Sequence, residues 1–272
     1  MNVDSTRHTP GTDAAPGAGR PRGQWLQPAE TDPQAPLRLF LFHYAGGSAS
    51  MYRDWPANLT EDIAYQFIQL PGRLDRRAET PFTDFDELIE ALLEQVAADL
   101  DDRPFAFFGH CMGGQIAYRL SVAMERAGER TPFLLGVSAW APEGFRTVPP
   151  EQADLPEQEV LDWVSGLGSM PAEVLADREM LALVLPVMRA DLSVCASYQD
   201  EAAEAPCPIV SYSAKSDPLV DSASMACWTG RTDEYLGNSE FVGGHFFIHE
   251  QTLAITSDFT RLMRKYGDPH RR

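Results

Sequence analysis

The chain has 272 residues, of which 44% are hydrophobic and 23% charged. That is a globular composition, long enough for one large domain with a buried core, and it excludes a disordered, collagen-like or fibrous chain. Lys and Arg total 22 against 40 Asp and Glu, and the resulting net charge of −18 repels a phosphate backbone or an anionic membrane surface.

Neither nucleic acid nor a membrane is therefore expected as a partner. There is no uninterrupted run of about 18 apolar residues, and MNVDSTRHTPGTDAAPGAGRPRG at the N-terminus lacks the apolar stretch of a signal peptide. The expected location is the cytoplasm. Cys111, Cys195, Cys207 and Cys227 lie far apart with no C-x-x-C pair, which suggests neither a zinc site nor a disulfide framework. No metal or other cofactor is expected.

Residues 1–36 are rich in Pro, Gly, Ala and Thr without apolar periodicity and read as a disordered tail. The folded unit is expected over 37–265, with a short C-terminal tail over 266–272. LRLFLFHY (37–44) is a β-prone apolar run ending at a glycine turn, and YQFIQLPG (65–72) is a second run stopped by Pro-Gly. DFDELIEALLEQVAADL (84–100) places Phe85, Leu88, Leu92, Val96 and Leu100 on one helical face behind Asp84, an N-cap candidate. FAFFGH (105–110) is a third strand, which breaks at Cys-Met-Gly-Gly and continues as a helix through QIAYRLSVAMERAG. Further strands are expected at FLLGVSAW (133–140), PIVSYSA (208–214) and SEFVGG (239–244). Alternating strands and helices imply a mostly parallel sheet covered on both faces. From about 150 to 204 the pattern is helical throughout. Such an excursion reads either as a lid over a site or as inert decoration, and its place between sheet strands favours the lid.

Gly109-His110-Cys111-Met112-Gly113 has the G-x-S-x-G spacing of a nucleophile elbow with Cys at the nucleophile position. A sharp strand-to-helix turn strains the central residue and requires small flanking residues, while the helix that follows aims N–H groups and a positive dipole end at it. Alone, the motif is equally compatible with a buried structural thiol. An elbow nucleophile needs an acid and then a histidine at the ends of later strands, and Asp217 and His245 appear in that order. Taken singly, Asp217 is also a turn residue before Pro218, and His245 is also a packing imidazole beside Phe246 and Phe247. The oxyanion hole of this architecture combines the N–H after the nucleophile, here Met112, with one from an early loop. The loop is His43-Tyr44-Ala45-Gly46-Gly47, with Ala45 as the second donor. His43 and His110 read as packing or hydrogen-bonding residues rather than bases.

FHYAGGSASMYRDW, QLPGRLDRRAE, GHCMGGQIAYRL, MPAEVLADREMLALVLPVMRADLSVCASY, SAKSDPLV and VGGHFFIHE together resemble the type II thioesterases that accompany modular polyketide and nonribosomal peptide synthases. The resemblance spans about 37–262 and includes the lid. It implies an α/β-hydrolase fold and an acyl or aminoacyl thioester substrate on the phosphopantetheine arm of an acyl or peptidyl carrier protein. It gives Cys111 the nucleophile's place, His245 the base's, Asp217 the orienting acid's, and Ala45 with Met112 the oxyanion hole. The chain departs from the family pattern at Cys111, where Ser is usual, and at Ser138-Ala139-Trp140-Ala141-Pro142, where a polar or basic stretch is usual. Trp140 reads as a wall of the acyl pocket or as core packing, and Phe246 as a further pocket residue.

A serine would form an oxygen ester suited to hydrolysis, whereas Cys111 would form a second thioester that stays activated toward a thiol or an amine as well as water. Hydrolytic editing or release is the expected function, and transfer of the acyl group to another carrier thiol or an amine is the alternative. A cysteine introduced to trap an acyl-enzyme is a third explanation of the thiol. A non-catalytic carrier-binding module is the reading from another class, against which Asp217 and His245 both argue. Carrier proteins are usually acidic too, so docking would rest on a local basic or apolar patch, for which Arg73, Arg76 and Arg77 are candidates, with ordinary surface charge as the alternative.

Overall fold

A computed structural model describes residues 25–145, 155–168 and 177–268. The apolar runs form β1 (Leu26–Gln27), β2 (Leu37–Phe42), β3 (Ile63–Ile68), β4 (Phe105–His110), β5 (Leu134–Ser138), β6 (Ile209–Ala214) and β7 (Tyr235–Phe241). They make one sheet in the order β1-β3-β2-β4-β5-β6-β7. Every pairing is parallel except β1 with β3. Because successive side chains point to opposite faces, Phe40, Phe42, Phe105 and Phe107 enter one core while Leu39, Leu41, Ala106 and Phe108 enter the other. The first core is closed by α1 (Phe85–Asp99) and α2 (Met112–Arg126), and the second by α6 (Thr252–Tyr266) behind the short α5 (Phe247–Glu250). Asp84 caps α1 as expected, its carboxylate accepting the Glu87 N–H at 3.0 Å. This is an α/β-hydrolase fold.

The connection between β5 and β6 carries α3 (Glu157–Gly166) and α4 (Arg178–Ser197). Val160, Leu161 and Val164 of α3 pack on Leu181, Leu185, Met188 and Leu192 of α4 in a third apolar cluster that also touches Ala45. The helical excursion expected over 150–204 is thus present in these two helices, and its parts at 146–154 and 169–176 lie outside the described residues. By length and composition α4 could cross a membrane, yet its apolar face packs on α3 and the sheet end, and Pro186 and Asp191 lie within it.

Two expectations change. Residues 1–24 and 269–272 lie outside the described residues, but the stretch from Trp25 to 36, assigned to the tail, is partly built into the fold. Trp25 and Leu26 are 1% and 2% exposed, Leu26 pairs with Ile68, and the Arg76 guanidinium lies 4.1 Å from the Trp25 ring centroid. Composition missed it because its buried apolar residues, Trp25, Leu26 and Ala35, are too few to show a period, and the rest is held by Arg103 and Gln66 bonding its polar groups. The last strand also begins four residues earlier than SEFVGG suggests, at Tyr235.

Trp25→Ala should therefore lower the free energy of unfolding in urea by about 3 kcal/mol, the usual loss when a buried aromatic is truncated. A change below about 0.5 kcal/mol, the size of an ordinary surface substitution, would return Trp25 to the tail.

Candidate active site

β4 ends at His110, and the chain turns through Cys111 into α2. Cys111 has φ 54° and ψ −118°, a left-handed conformation that is costly for any residue with a side chain. Neighbouring backbone holds it there: its N–H donates to Ser138 O at 2.8 Å, and its carbonyl accepts the Gly114 N–H at 2.9 Å. The flanking glycines are needed for space. A Cβ on Gly109 would stand 2.0 Å from the Gly113 carbonyl oxygen, and one on Gly113 would stand 2.0 Å from the Phe42 carbonyl oxygen. The two glycines of G-x-C-x-G are thus sterically required, and Cys111 between them occupies the strained turn.

Asp217 and His245 follow β6 and β7 and meet behind Cys111. His245 Nδ1 donates to Asp217 Oδ2 at 2.8 Å, and both side chains are buried. Asp217 is also the turn residue its Asp-Pro context suggests, since Oδ1 accepts the N–H groups of Leu219 and Val220 at 2.8 and 3.3 Å. Those bonds fix the carboxylate, which fixes the imidazole. His245 Nε2 is buried, makes no hydrogen bond, and belongs to a side chain that shares one cavity with Cys111. Burial opposes a charge on His245, but its interactions with the Cys111 sulfur and with the Asp217 carboxylate outweigh it and raise its pKa to about 10.

His110 supports this arrangement from beneath. Its Nε2 is 2.9 Å from His245 O and its Nδ1 2.9 Å from Ser138 Oγ. A carbonyl only accepts, so Nε2 carries the proton and Ser138 donates to Nδ1. Burial, followed by the charge of His245, holds His110 far below the ordinary histidine range and keeps it neutral. His43 is likewise neutral: burial and then Arg73 lower its pKa to about 4, and its Nδ1 donates to Tyr44 O at 2.9 Å. Both histidines serve structure, as expected.

Cys111, Met112, Ala45, His245, Trp140 and Phe246 all line one cavity, with Asp217 just behind it. α3 and α4 close it through Trp163, Val164, Leu167, Met188 and Leu192. Its walls are almost wholly apolar and its water-accessible volume is about 40 Å³, room for roughly three waters. Among the described residues, the backbone N–H groups of Ala45 and Met112 make no hydrogen bond. Trp140 satisfies both of its readings: it lines the cavity and packs on Tyr118, Tyr198 and Trp228 at 5.6–6.0 Å between ring centroids. A wider cavity of about 560 Å³, lined by Ser48, Ser50, Arg53 and His249, shares Tyr44, Ala45 and Met188 with the first.

The candidate docking arginines are corrected. Arg73 and Arg76 are 6% and 1% exposed: Arg73 binds Asp191 on α4, and Arg76 binds Glu79 and covers Trp25. Only Arg77 of the three stands in solvent. Both buried guanidinium groups satisfy local backbone carbonyls as well, Arg73 that of Gly47 and Arg76 that of Gln69, a use invisible in a charge count. Sequence reasoning also missed Asp191 and Ser138. Asp191 left one signal, a lone carboxylate in the apolar run of α4.

The chain belongs to the thioesterase domain family, whose model matches residues 37–263. It is an enzyme of the thioesterase class, a hydrolase acting on thioesters. It is 36% identical over 248 residues to the gramicidin S biosynthesis protein GrsT of Aneurinibacillus migulanus, covering 89% of this chain and 94% of that protein. It is 34% identical over 242 residues to the linear gramicidin dehydrogenase LgrE of Brevibacillus parabrevis, covering 85% and 90%. Among solved structures it resembles the type II thioesterase BorB from the borrelidin biosynthetic cluster, at 28% identity and TM-score 0.75 over 88% of this chain and 96% of that one.

Removing the Cys111 sulfur removes the largest influence that raises His245. In Cys111→Ala the His245 pKa, followed by the imidazole nitrogen shifts in NMR, should fall from about 10 toward the ordinary value of about 6.5. An unchanged titration would mean that the sulfur and the imidazole are not coupled.

Proposed function

We propose that the chain removes acyl or aminoacyl groups from the phosphopantetheine arm of carrier proteins through a Cys111 acyl-enzyme, as an editing or release enzyme of natural-product biosynthesis. The observation that carries this reading is the row Cys111, His245, Asp217 at a strained elbow, facing two unpartnered N–H groups. Similarity to GrsT and BorB supports the biosynthetic setting, and with it the carrier-bound substrate. The activity in LgrE's name is not carried over, because a cysteine, an imidazole and a carboxylate in line are suited to acyl transfer, not hydride transfer.

The steps follow from the residues. The pantetheine arm, rich in amides, enters past Ser48, Ser50 and Arg53 in the wider cavity, and the acyl group passes Ala45 into the apolar one. With the proton already held at His245 Nε2, the Cys111 sulfur adds to the thioester carbon. The carbonyl electron pair moves onto oxygen, where the N–H groups of Ala45 and Met112 and the N-terminal end of α2 meet the charge. Collapse expels the pantetheine sulfur, which takes the proton from His245 and leaves the acyl group on Cys111. A water, deprotonated by His245, then adds to that carbon, and release of the acid regenerates the thiol. Asp217 holds the imidazole in the tautomer that presents Nε2 to Cys111.

Cys111 itself favours a second reading, transfer to another carrier thiol, because the acyl-enzyme is as activated as its substrate. An acyl-loaded carrier, a second unloaded carrier and intact-mass detection separate the two. On the hydrolytic reading the parent deposits a negligible fraction on the second carrier, Cys111→Ser hydrolyses at a similar or higher rate, and Cys111→Ala loses at least about 1,000-fold. Substantial transfer by the parent that vanishes in Cys111→Ser would establish the transferase instead. Activity of Cys111→Ala within about tenfold of the parent, about 1.4 kcal/mol in barrier, would remove Cys111 from the chemistry.

A further inference from the structure

Within the oxyanion loop the Tyr44 carbonyl accepts the Gly47 N–H and His43 Nδ1, each at 2.9 Å. Ala45 offers an N–H with no partner, and the residue after it, Gly46, has φ +73° and no side chain to anchor it. Further anchoring comes from outside the loop. The Gly46 N–H donates to Asp191 Oδ2 at 2.7 Å, and Arg73 Nη1 donates to the Gly47 carbonyl at 3.0 Å. Arg73 and Asp191 are joined to each other by two bonds, Nη1 to Oδ2 at 2.7 Å and Nη2 to Oδ1 at 2.8 Å, with exposures of only 6% and 3%. Asp191 lies on α4, and Met188, one turn earlier, packs so closely that a Cβ on Gly46 would meet its Cε at 2.2 Å. A buried ion pair is poor evidence for stability, because desolvation offsets most of its attraction. Here the same carboxylate and guanidinium take up the Gly46 N–H and the Gly47 carbonyl, which tethers the chain on the C-terminal side of Ala45 to α4.

Building on the thioesterase reading above, we infer that Asp191 and Arg73 are positioning residues: they hold the Ala45 N–H where charge develops on the thioester oxygen, and they tie that donor to the lid. Neither touches the reacting atoms. Because Asp191 is a lid residue, the oxyanion hole is complete only while α4 is seated. A lid displaced far enough to admit an acyl group would release Gly46, and reseating would restore the hole around bound substrate.

Two reactions of the same sulfur test this. Acylation of Cys111 by a small S-acyl N-acetylcysteamine thioester passes through an oxyanion, whereas alkylation by iodoacetamide displaces iodide at a saturated carbon and forms none. In Asp191→Ala, acylation should slow about 10- to 100-fold, approaching the loss seen when an oxyanion donor is deleted. The loss should lie in kcat rather than KM, with alkylation of Cys111 unchanged or faster. Asp191→Asn keeps an oxygen for the Gly46 N–H and should recover part of the rate. If Asp191→Ala does not fold, the same ratio in Asp191→Asn and Arg73→Lys decides. Equal loss in both reactions, or acylation at the parent's rate, would overturn the positioning role. Failure of the parent itself to be acylated would instead overturn the thioesterase reading, and the inference with it.

Discussion

The backbone of Cys111 is held in a conformation that L-residues avoid, and most of the site depends on that one constraint. The strain is tolerated because β4, β5 and α2 grip the residue from both ends, through the Ser138 carbonyl and the Gly114 N–H. In return the turn lifts the sulfur clear of the sheet, puts it at the N-terminal end of α2, and leaves the Met112 N–H unpaired beside it. Phe42 is part of the same constraint, since its carbonyl lies where any side chain at Gly113 would go. The order of strands then fixes the rest: β6 and β7, the next neighbours beyond β5, carry Asp217 and His245 to the same sheet edge.

Around this frame the lid decides the dielectric. α3 and α4 bring Trp163, Val164, Met188 and Leu192 over the sulfur and leave a small apolar cavity. Desolvation there works against a charged His245, and its interactions with Cys111 and Asp217 overcome it. The same dryness acts on the remaining thiols in the opposite sense. Burial pushes Cys195 and Cys207 well above the ordinary thiol range, so Cys195 shares the cavity with Cys111 without sharing its imidazole. Reactivity is assigned by the neighbour at Nε2 rather than by the presence of a thiol.

Much of this was legible in the residues. The alternation of apolar runs with glycine or proline stops located the central parallel strands, and the glycines around Cys111 located the elbow, because each signal reflects a steric requirement within a few residues. Asp217 and His245 could be found from their order along the chain, which the fold converts into proximity. What escaped were contacts between distant segments. The Trp25 carbonyl accepts the Gln69 N–H at the sheet edge while Arg76 covers its ring, and Arg73, which looked like a docking charge, is consumed by Asp191 118 residues away. His110 was recognised as structural, but not that it carries the His245 backbone. A net charge of −18 likewise says nothing of which few cations are already spent inside.

The central claim is that Cys111 carries the acyl group between carrier and acceptor. Rapid acid quench during turnover of an acyl-loaded carrier, followed by peptide mass mapping, tests it directly. The acyl mass should appear on the peptide containing Cys111, rise within the first turnover and decay as product forms. Turnover with no adduct on Cys111, or an adduct confined to Cys195, Cys207 or Cys227, would contradict it.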